Sequence, residues 1–147
     1  MRNKPSILIV DDQIDNQKFL VNVLKPDYRV LVAADGTDAL ALLRTAPAPD
    51  LILLDIMMPV MDGYETCRHI KDLPHLAQTP IIFLTAKSDP DSETRGFELG
   101  ASDYVAKPIN PPVLRARITA QLALAEQMRR AYAERDISHR LVAKVSA

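Results

Sequence analysis

The sequence is poor in the residues that form disulfides and zinc sites. Among 147 residues there are one cysteine, Cys67, and three histidines. One thiol cannot form a disulfide within the chain, and no cysteine–histidine cluster has the spacing of zinc ligands. No apolar run approaches the roughly 20 residues that span a bilayer, and the first residues lack the apolar segment of a signal peptide. The sequence therefore predicts a cytoplasmic protein without membrane contact.

Charge is nearly balanced overall but uneven along the chain. The formal net charge is −1, with 48% hydrophobic and 25% charged residues, which is ordinary for one globular domain with a short appendage. Residues 1–110 carry 11 basic and 16 acidic side chains, whereas residues 111–147 carry 7 and 3. Basic residues spread along a predicted helix are typical of its solvated face. We therefore expect no direct contact with nucleic acid.

The most informative stretch is the unbroken aliphatic run at 51–54, which ends on Asp55. Such a run predicts a strand buried on both faces, as at the centre of a parallel sheet. Asp62-Gly63 then signals the start of a helix. In open α/β sheets ligand chemistry collects beyond the carboxyl ends of the strands. Asp55 is therefore a candidate reactive group, although a lone aspartate there also fits a purely structural role.

Strand-like and helix-like segments alternate along the chain. Strands are predicted at 6–10, 28–33, 51–54, 81–84 and 103–106, and helices at 13–24, 38–46, 62–72, 88–99 and from about 113 onward. Asp62 and Asp89 are predicted helix caps. The first helix carries an apolar stripe made of Ile14, Phe19, Leu20, Val23 and Leu24. This alternation predicts an α/β fold with one doubly wound, five-stranded parallel sheet in the order 2-1-3-4-5.

That strand order brings the polar residues that end each strand to one edge. Asp11, Asp12 and Asp55 converge there, and Thr85 and Lys107 follow the next two strands. Three carboxylates repel one another unless a cation joins them, and a set of oxygen ligands suits magnesium. A carboxylate nucleophile, a divalent cation, an ammonium and a hydroxyl are the groups that form and hold an aspartyl phosphate.

Five motifs in this order resemble the response regulator receiver domain of two-component signalling. They are Asp11-Asp12, Asp55 with its Met-Pro loop, Asp62-Gly63, Thr85-Ala86 and Lys107-Pro108. The resemblance covers about residues 5–125. It implies a flavodoxin-like fold in a bacterial phosphorelay, with a receiver domain at 1–125 and a helical linker or tail at 126–147.

The resemblance also implies a set of ligands around the acceptor. Asp55 would accept a phosphoryl group from a sensor histidine kinase or a phosphotransfer protein. Mg2+, or Mn2+, would be held directly by Asp12 and Asp55, through water by Asp11, and by the backbone carbonyl of Met57. Lys107 would pair with the phosphoryl oxygens.

Further roles follow from the same resemblance. The peptide bond before Pro108 would be cis. Thr85 would move its hydroxyl to the phosphoryl group, and Tyr104 would rotate inward, repacking the face formed by the fourth helix, the fifth strand and the fifth helix. Met57 and Lys87 occupy positions that tune the lifetime of the phosphoryl group. The implied protein is a signalling switch rather than an enzyme.

The chain continues beyond about Ala125 without a helix breaker. A heptad pattern assigns one seam position to Ile118, Ala125, Tyr132 and His139, and the other to Gln121, Met128, Arg135 and Val142. Polar residues at several of these positions make a poor coiled coil. We expect a helical linker toward an output domain or a partner, and a homodimer through this tail and the face around the fifth helix.

Three alternatives remain open at the level of sequence. A magnesium-dependent phosphatase with an aspartate nucleophile would carry a second acid two residues later, where Met57 stands. A flavin-binding module would need a phosphate-cradling run of Ser, Thr and Gly in the loop that holds Asp11 and Asp12. A pseudo-receiver, folded but never phosphorylated, is disfavoured because the acidic cluster is complete.

Overall fold

Five strands and five α-helices alternate along the residues that the structure describes. The computed structural model describes residues 4–86 and 90–146, and the side chains of residues 90–93 and 136–146 lie outside that description. The strands are β1 (Ser6–Val10), β2 (Arg29–Ala33), β3 (Leu51–Asp55), β4 (Ile81–Thr85) and β5 (Asp103–Ala106). The helices are α1 (Ile14–Leu24), α2 (Gly36–Thr45), α3 (Gly63–Lys71), α4 (Pro90–Glu98) and α5 (Pro111–Ser146), with a 3-10 turn at Pro74–Leu76.

The strands form one parallel sheet in the order β2-β1-β3-β4-β5, which confirms the predicted topology. β3 lies at the centre, and all five of its residues are buried. The register pairs Val10 with Leu54 and Asp55 with Leu84. The carboxyl ends of β1, β3 and β4 therefore lie side by side, so the residues that follow them meet at one edge.

Alternate residues of the strands belong to two apolar layers, one on each face of the sheet. On one face, Ile9 and Leu53 pack with side chains of α1 and α5, including Leu20 and Ile118. On the other face, strand residues such as Leu54 pack with α2 and α3. Burial of both faces explains why the central strands are continuous apolar runs instead of alternating ones.

The predicted apolar stripe of α1 is wrong in part. Leu20 and Leu24 are buried, but Ile14 and Phe19 are 63% and 43% exposed. Successive helix residues are separated by about 100°, so Ile14 and Phe19 point roughly 100° or more away from the direction that Leu20 and Leu24 share, on opposite sides of it.

Two helix starts show how aspartates set the boundaries. α2 begins at Gly36, two residues before the predicted start, because the side chain of Asp35 caps it by accepting from the Asp38 amide. Asp62 caps α3 in the same way through the Glu65 amide, as predicted. The predicted cap Asp89 and the predicted tuning residue Lys87 lie outside the described residues.

α5 is a continuous helix of 36 residues that crosses the predicted boundary near residue 125. Its buried residues Leu114 and Ile118 pack on the sheet, whereas every residue from 126 to 135 is exposed. The division into a receiver at 1–125 and a tail at 126–147 stays a prediction, and the seam side chains His139 and Val142 lie outside the described part. Within the described residues no helix is both long and apolar enough to cross a membrane.

Candidate functional site

The sheet edge brings three carboxylates together. Asp11 follows β1 directly and Asp55 is the last residue of β3, and both are buried, whereas Asp12 is exposed. One carboxylate oxygen from each residue lies within 4.8 Å of the others, close enough for a single metal ion to contact all three. Hydrogen-bonded parallel strands hold both buried aspartates, so their backbone positions are fixed by the sheet.

Lys107 provides the cationic side of the site. Its Nζ lies 3.3 Å from Oδ1 of Asp55 and 3.5 Å from Oδ2 of Asp11. The backbone amide of Lys107 donates to the carbonyl of Thr85, and its peptide bond to Pro108 is cis. The loop after β5 therefore places one ammonium between two buried carboxylates.

The loops around the site satisfy some carboxylate oxygens and leave one without a donor. Oδ1 of Asp55 accepts from the amide of Met57, and Oδ1 of Asp11 accepts from the amide of Gln13. Oδ2 of Asp11 is buried and accepts no hydrogen bond from the described part of the chain. A buried carboxylate oxygen without a donor is costly. The ammonium of Lys107, 3.5 Å from this oxygen, compensates its charge without a hydrogen bond, so the oxygen is still able to bind a further positive group.

Burial raises the pKa of Asp55 above its ordinary value of 3.8. The ammonium of Lys107 acts in the opposite direction and lowers this pKa, while the negative charge of Asp11 raises it again and the Met57 amide lowers it. The largest cause of the raised pKa is therefore desolvation, and the repulsion between carboxylates that the sequence predicts is a smaller one. A cation beside Asp55 would favour its ionised form.

The residues present fit a hard divalent cation. The donor set is all oxygen, as magnesium prefers, and one of those oxygens is the buried Oδ2 of Asp11 without a donor. Asp12 is open to solvent, so a bound ion is able to keep water ligands. The role of the Met57 carbonyl stays a prediction, since only its amide is seen in contact with Asp55.

The loop from β3 to α3 is packed tightly beneath Asp55. The amide of Gly63 donates to the carbonyl of Ile56, and a Cβ on Gly63 would lie 2.4 Å from the backbone oxygen of Asp55. Within the loop, exposed Val60 has φ of 68°, and the amide of Met61 donates to the carbonyl of Pro59. A β-branched residue is strained at positive φ. The close packing of Gly63 against Asp55 means that the first turn of α3 supports the backbone of the candidate acceptor directly.

Thr85 and Tyr104 lie on the side of the site toward α4. Thr85 is buried at the end of β4, and the ring of Tyr104 makes an edge-to-face contact with Phe97 of α4, with centroids 5.8 Å apart. A cavity of only about 10 Å³ lies between Thr85, Phe97 and Tyr104. That volume holds at most one water molecule, so a tyrosine ring enters it only if α4 shifts.

One contact at this edge was not expected from the sequence. Nε2 of Gln17, on the first turns of α1, donates to the backbone carbonyl of Asp11 over 2.6 Å. A glutamine six residues after an aspartate is not a recognisable motif. The contact exists only because α1 folds back over the end of β1.

The fold and its acidic edge match a known family of proteins. A family model described as the response regulator receiver domain matches residues 7–119. The chain belongs to this family. Receiver domains are signalling switches that bind Mg2+ in an acidic pocket and interact with histidine kinases or phosphotransfer proteins. The predicted family and sheet order are thus confirmed, and the cluster of Asp11, Asp12 and Asp55 is compatible with such a pocket.

Similar receivers occur in proteins with different names. Over 117 residues this receiver is 50% identical to a probable cyclic di-GMP phosphodiesterase of Vibrio cholerae, covering 80% of the chain and 26% of that protein. Over 124 residues it is 44% identical to the transcriptional regulatory protein AfsQ1 of Streptomyces coelicolor, covering 84% and 53%. The chain thus spans about a quarter to a half of the length of these curated relatives.

One solved structure of a similar receiver domain contains magnesium. The receiver domain of a sensor histidine kinase from Pseudomonas aeruginosa PAO1, with magnesium coordinated in its active-site cleft, is 31% identical to this receiver with a TM-score of 0.75. The match covers 82% of this chain and 98% of that one. The structural likeness therefore extends over nearly the whole of that receiver domain.

Proposed function

We propose that this receiver is a phosphorylation-dependent switch of a two-component system with Asp55 as its phosphoryl acceptor. The observation that carries the proposal is the position of Asp55. It ends the central strand, is 3% exposed, and lies 3.3 Å from the ammonium of Lys107 within the acidic cluster. A buried carboxylate beside a fixed cation is suited to take up a phosphoryl group and to shield the acyl phosphate from water.

The proposed reaction is a direct transfer between two side chains. A carboxylate oxygen of Asp55 attacks the phosphorus of a phosphohistidine donor. The phosphorus–nitrogen bond breaks, its electron pair stays on the imidazole, and a phosphorus–oxygen bond forms on Asp55. Water later hydrolyses the acyl phosphate to restore the carboxylate and release phosphate. No histidine ends a strand at this edge among the described residues, which suits a long-lived phosphoryl group better than fast turnover.

The proposed ligands of Mg2+ or Mn2+ are Asp11, Asp12, Asp55 and the backbone carbonyl of Met57. When bound, the ion neutralises charge on the phosphoryl oxygens. The comparison with the magnesium-containing receiver of Pseudomonas aeruginosa supports this assignment. Lys107 pairs with a phosphoryl oxygen, a role for which its ammonium is held by the loop after β5. The hydroxyl of Thr85 donates a hydrogen bond to another oxygen of the phosphoryl group.

The donor docks against an apolar surface beside the acceptor. Phe19 is exposed on α1, and together with Lys107, Pro108 and Ile109 it helps to line a cleft of about 370 Å³ next to Asp11. A histidine on a helical partner that covers this cleft would face the acceptor edge. Phe19→Ser is therefore expected to slow transfer from a phosphohistidine protein more than phosphorylation by acetyl phosphate. Equal slowing of both rates would argue against docking at this surface.

Phosphorylation is proposed to act through α4. Thr85 moves toward the new dianion, and Tyr104 turns into the space that Thr85 leaves. Because the cavity behind Thr85 is only about 10 Å³, this rotation requires the Phe97 contact to break and α4 to shift. Packed cores move between discrete arrangements. A small change at Asp55 thus alters the face made by α4, β5 and α5.

That face and the exposed part of α5 are the proposed dimer surface. Phe97 and Val113 are exposed large hydrophobic residues on α4 and α5, and Leu124, Met128 and Tyr132 continue along the helix. Spacings of four residues place the last three on one side of α5. A second copy of the chain is the proposed partner. It would also cover the exposed side of α5 where this helix extends beyond the sheet.

The acceptor is tested by intact-mass analysis after incubation with acetyl phosphate and Mg2+. Wild type is expected to gain the mass of one phosphoryl group, and Asp55→Asn is expected to gain none. Asp15→Asn, which removes an exposed carboxylate from the first turn of α1, is the matched control and should react like wild type. Absence of an adduct on wild type would reduce the protein to a pseudo-receiver.

The output is tested by light scattering before and after addition of beryllofluoride with Mg2+. A rise from monomer to dimer mass that is absent in Asp55→Asn would support the dimer. An unchanged mass would overturn it while leaving the acceptor proposal to the mass analysis. Release of phosphate from many added phosphomonoester molecules per protein would instead favour the alternative of a magnesium-dependent phosphatase.

A further inference from the structure

A side chain outside the acidic cluster holds the backbone of one proposed cation ligand. Nε2 of Gln17 donates to the carbonyl oxygen of Asp11 over 2.6 Å, and the Gln17 amide donates to the carbonyl of Gln13. Gln17 is half-buried on α1. The contact therefore ties the loop between β1 and α1 to the helix itself.

Asp11 is restrained on three sides by these contacts. Its amide donates to Ala33 of β2, its Oδ1 accepts from the Gln13 amide, and its carbonyl accepts from Gln17. Only Oδ2 remains, buried and without a hydrogen-bond donor among the described residues, 3.5 Å from Nζ of Lys107. The three bonds together fix the direction in which this oxygen points.

We infer that Gln17 is a positioning residue for the cation site. Its bond to the Asp11 carbonyl keeps Oδ2 of Asp11 aimed at the centre of the acidic cluster. This inference rests on the proposed function in one respect, that the cluster binds Mg2+. Gln17 acts through the backbone of Asp11, to which its Nε2 donates, and is therefore proposed as a positioning residue and not as a ligand.

The physical consequence is selectivity between cations. Mg2+ requires nearly ideal octahedral geometry with ligands at about 2.0–2.1 Å, whereas Ca2+ accepts longer and more variable distances. A restrained Asp11 favours the small ion, and a loosened Asp11 loses that advantage. Removing the Gln17 bond should therefore weaken Mg2+ binding more than Ca2+ binding, an effect that a general loss of stability would not produce.

The test compares Gln17→Met with Asn22→Met in the full chain. Methionine keeps the length of glutamine but has no N–H donor. Asn22 is an exposed carboxamide on the same helix, so its replacement controls for the loss of an amide from α1. Dissociation constants of Mg2+ and Ca2+ are measured by calorimetry, and thermal melting in EDTA reports the fold.

Gln17→Met is expected to weaken Mg2+ binding by about three- to tenfold, the range for one lost hydrogen bond. Ca2+ binding should change by less than about twofold, and Asn22→Met should match wild type for both ions. Equal weakening of both ions, or an unchanged Mg2+ affinity, would overturn the inference. If Gln17→Met does not fold, Gln17→Ala is measured in its place, and failure of both variants to fold would make this bond a folding contact instead.

The two proposals fail in different ways. Wild type that binds no Mg2+ would remove the basis of both. Wild type that binds Mg2+ and accepts a phosphoryl group, with a Gln17→Met variant of unchanged cation selectivity, would overturn the role of Gln17 alone.

Discussion

Gly63→Ala is expected to disturb the acceptor because the first turn of α3 touches the backbone of β3. A Cβ at position 63 would lie 2.4 Å from the carbonyl oxygen of Asp55 and 2.6 Å from Cα of Ile56. Both atoms belong to the backbone, so no side-chain rotation relieves the overlap. Relief requires a movement on the order of 1 Å between α3 and the end of β3, because real Cβ contacts lie well beyond 3 Å.

The magnitude follows from the cost of overpacking. Inserting one carbon into a closely packed contact costs about 1–3 kcal/mol, against which the better helix propensity of alanine offsets up to about 1 kcal/mol. We expect the free energy of unfolding to fall by about 1–2 kcal/mol. Displacement of Asp55 should also weaken Mg2+ binding and slow phosphorylation by acetyl phosphate by about tenfold or more.

Gly36→Ala is the matched control because Gly36 is also the first residue of a helix capped by an aspartate. Its added Cβ would lie 2.3 Å from Oγ1 of Thr66, a side chain instead of backbone. Thr66→Ala in the same chain should therefore recover about 1 kcal/mol of the loss caused by Gly36→Ala. No such relief is expected for Gly63→Ala, and Gly36→Ala should leave Mg2+ affinity unchanged.

The assays are urea denaturation for stability, calorimetry for Mg2+ and intact mass for the rate of phosphorylation. If Gly63→Ala kept wild-type stability and Mg2+ affinity, the close contact between α3 and Asp55 would not support the acceptor. If Gly36→Ala weakened Mg2+ binding as much as Gly63→Ala, the effect would belong to the α2–α3 packing and not to the position of Asp55.

Three other substitutions test the electrostatics and the strain of the site. Asp55→Asn should raise the melting temperature in EDTA at pH 7.5, because burial raises the pKa of Asp55 and so penalises its ionised form. The gain should shrink as the pH falls through that raised pKa and vanish below 3.8, where the carboxyl is protonated in the folded and the unfolded state. A gain independent of pH would contradict this cause. Lys107→Met should lower the free energy of unfolding, measured by urea titration in EDTA at pH 7.5, by about 1–3 kcal/mol. The loss should be smaller in acid, because protonated carboxyl groups need no neighbouring cation. A loss that is the same at both pH values would point to packing as its cause. Val60→Asn should raise the free energy of unfolding by up to about 1 kcal/mol, because asparagine tolerates positive φ. No buried contact is lost, since the valine side chain is exposed. A lower urea midpoint for the variant would show that this loop conformation is not strained.

The two aspartates after β1 are not equivalent. Asp11 is fully buried and Asp12 is exposed, so the first is held by the protein and the second is accessible to water and to ions. The sequence-based expectation assigned Asp12 direct contact with the ion and Asp11 contact through water. The structure places an oxygen of each within reach of one ion. Which of them contacts the ion directly remains part of the proposal.

Local sequence patterns were sufficient for the fold and for the identity of the cluster. Continuous apolar runs at β1, β3 and β4 reflect burial on both faces, and that requirement acts residue by residue. Parallel strands place all their carboxyl ends on one edge, so the positions of Asp11, Asp55 and Lys107 followed from the strand order. The cap at Asp62 was predictable because it depends on the residues of one helical turn.

Contacts between neighbouring elements of the fold were decided only by the tertiary structure. Exposure of Ile14 and Phe19 depends on the rotation of α1 about its axis, which the sheet beneath it determines. The Gln17 bond and the contact of Gly63 with Asp55 depend on how closely α1 and α3 approach the carboxyl ends of β1 and β3. Propensity and periodicity carry no information on such distances. The sequence by itself determined which groups gather at the sheet edge, and the packing of α1 and α3 against that edge decided how firmly they are held, because only close-packed neighbours restrain a side chain to one direction.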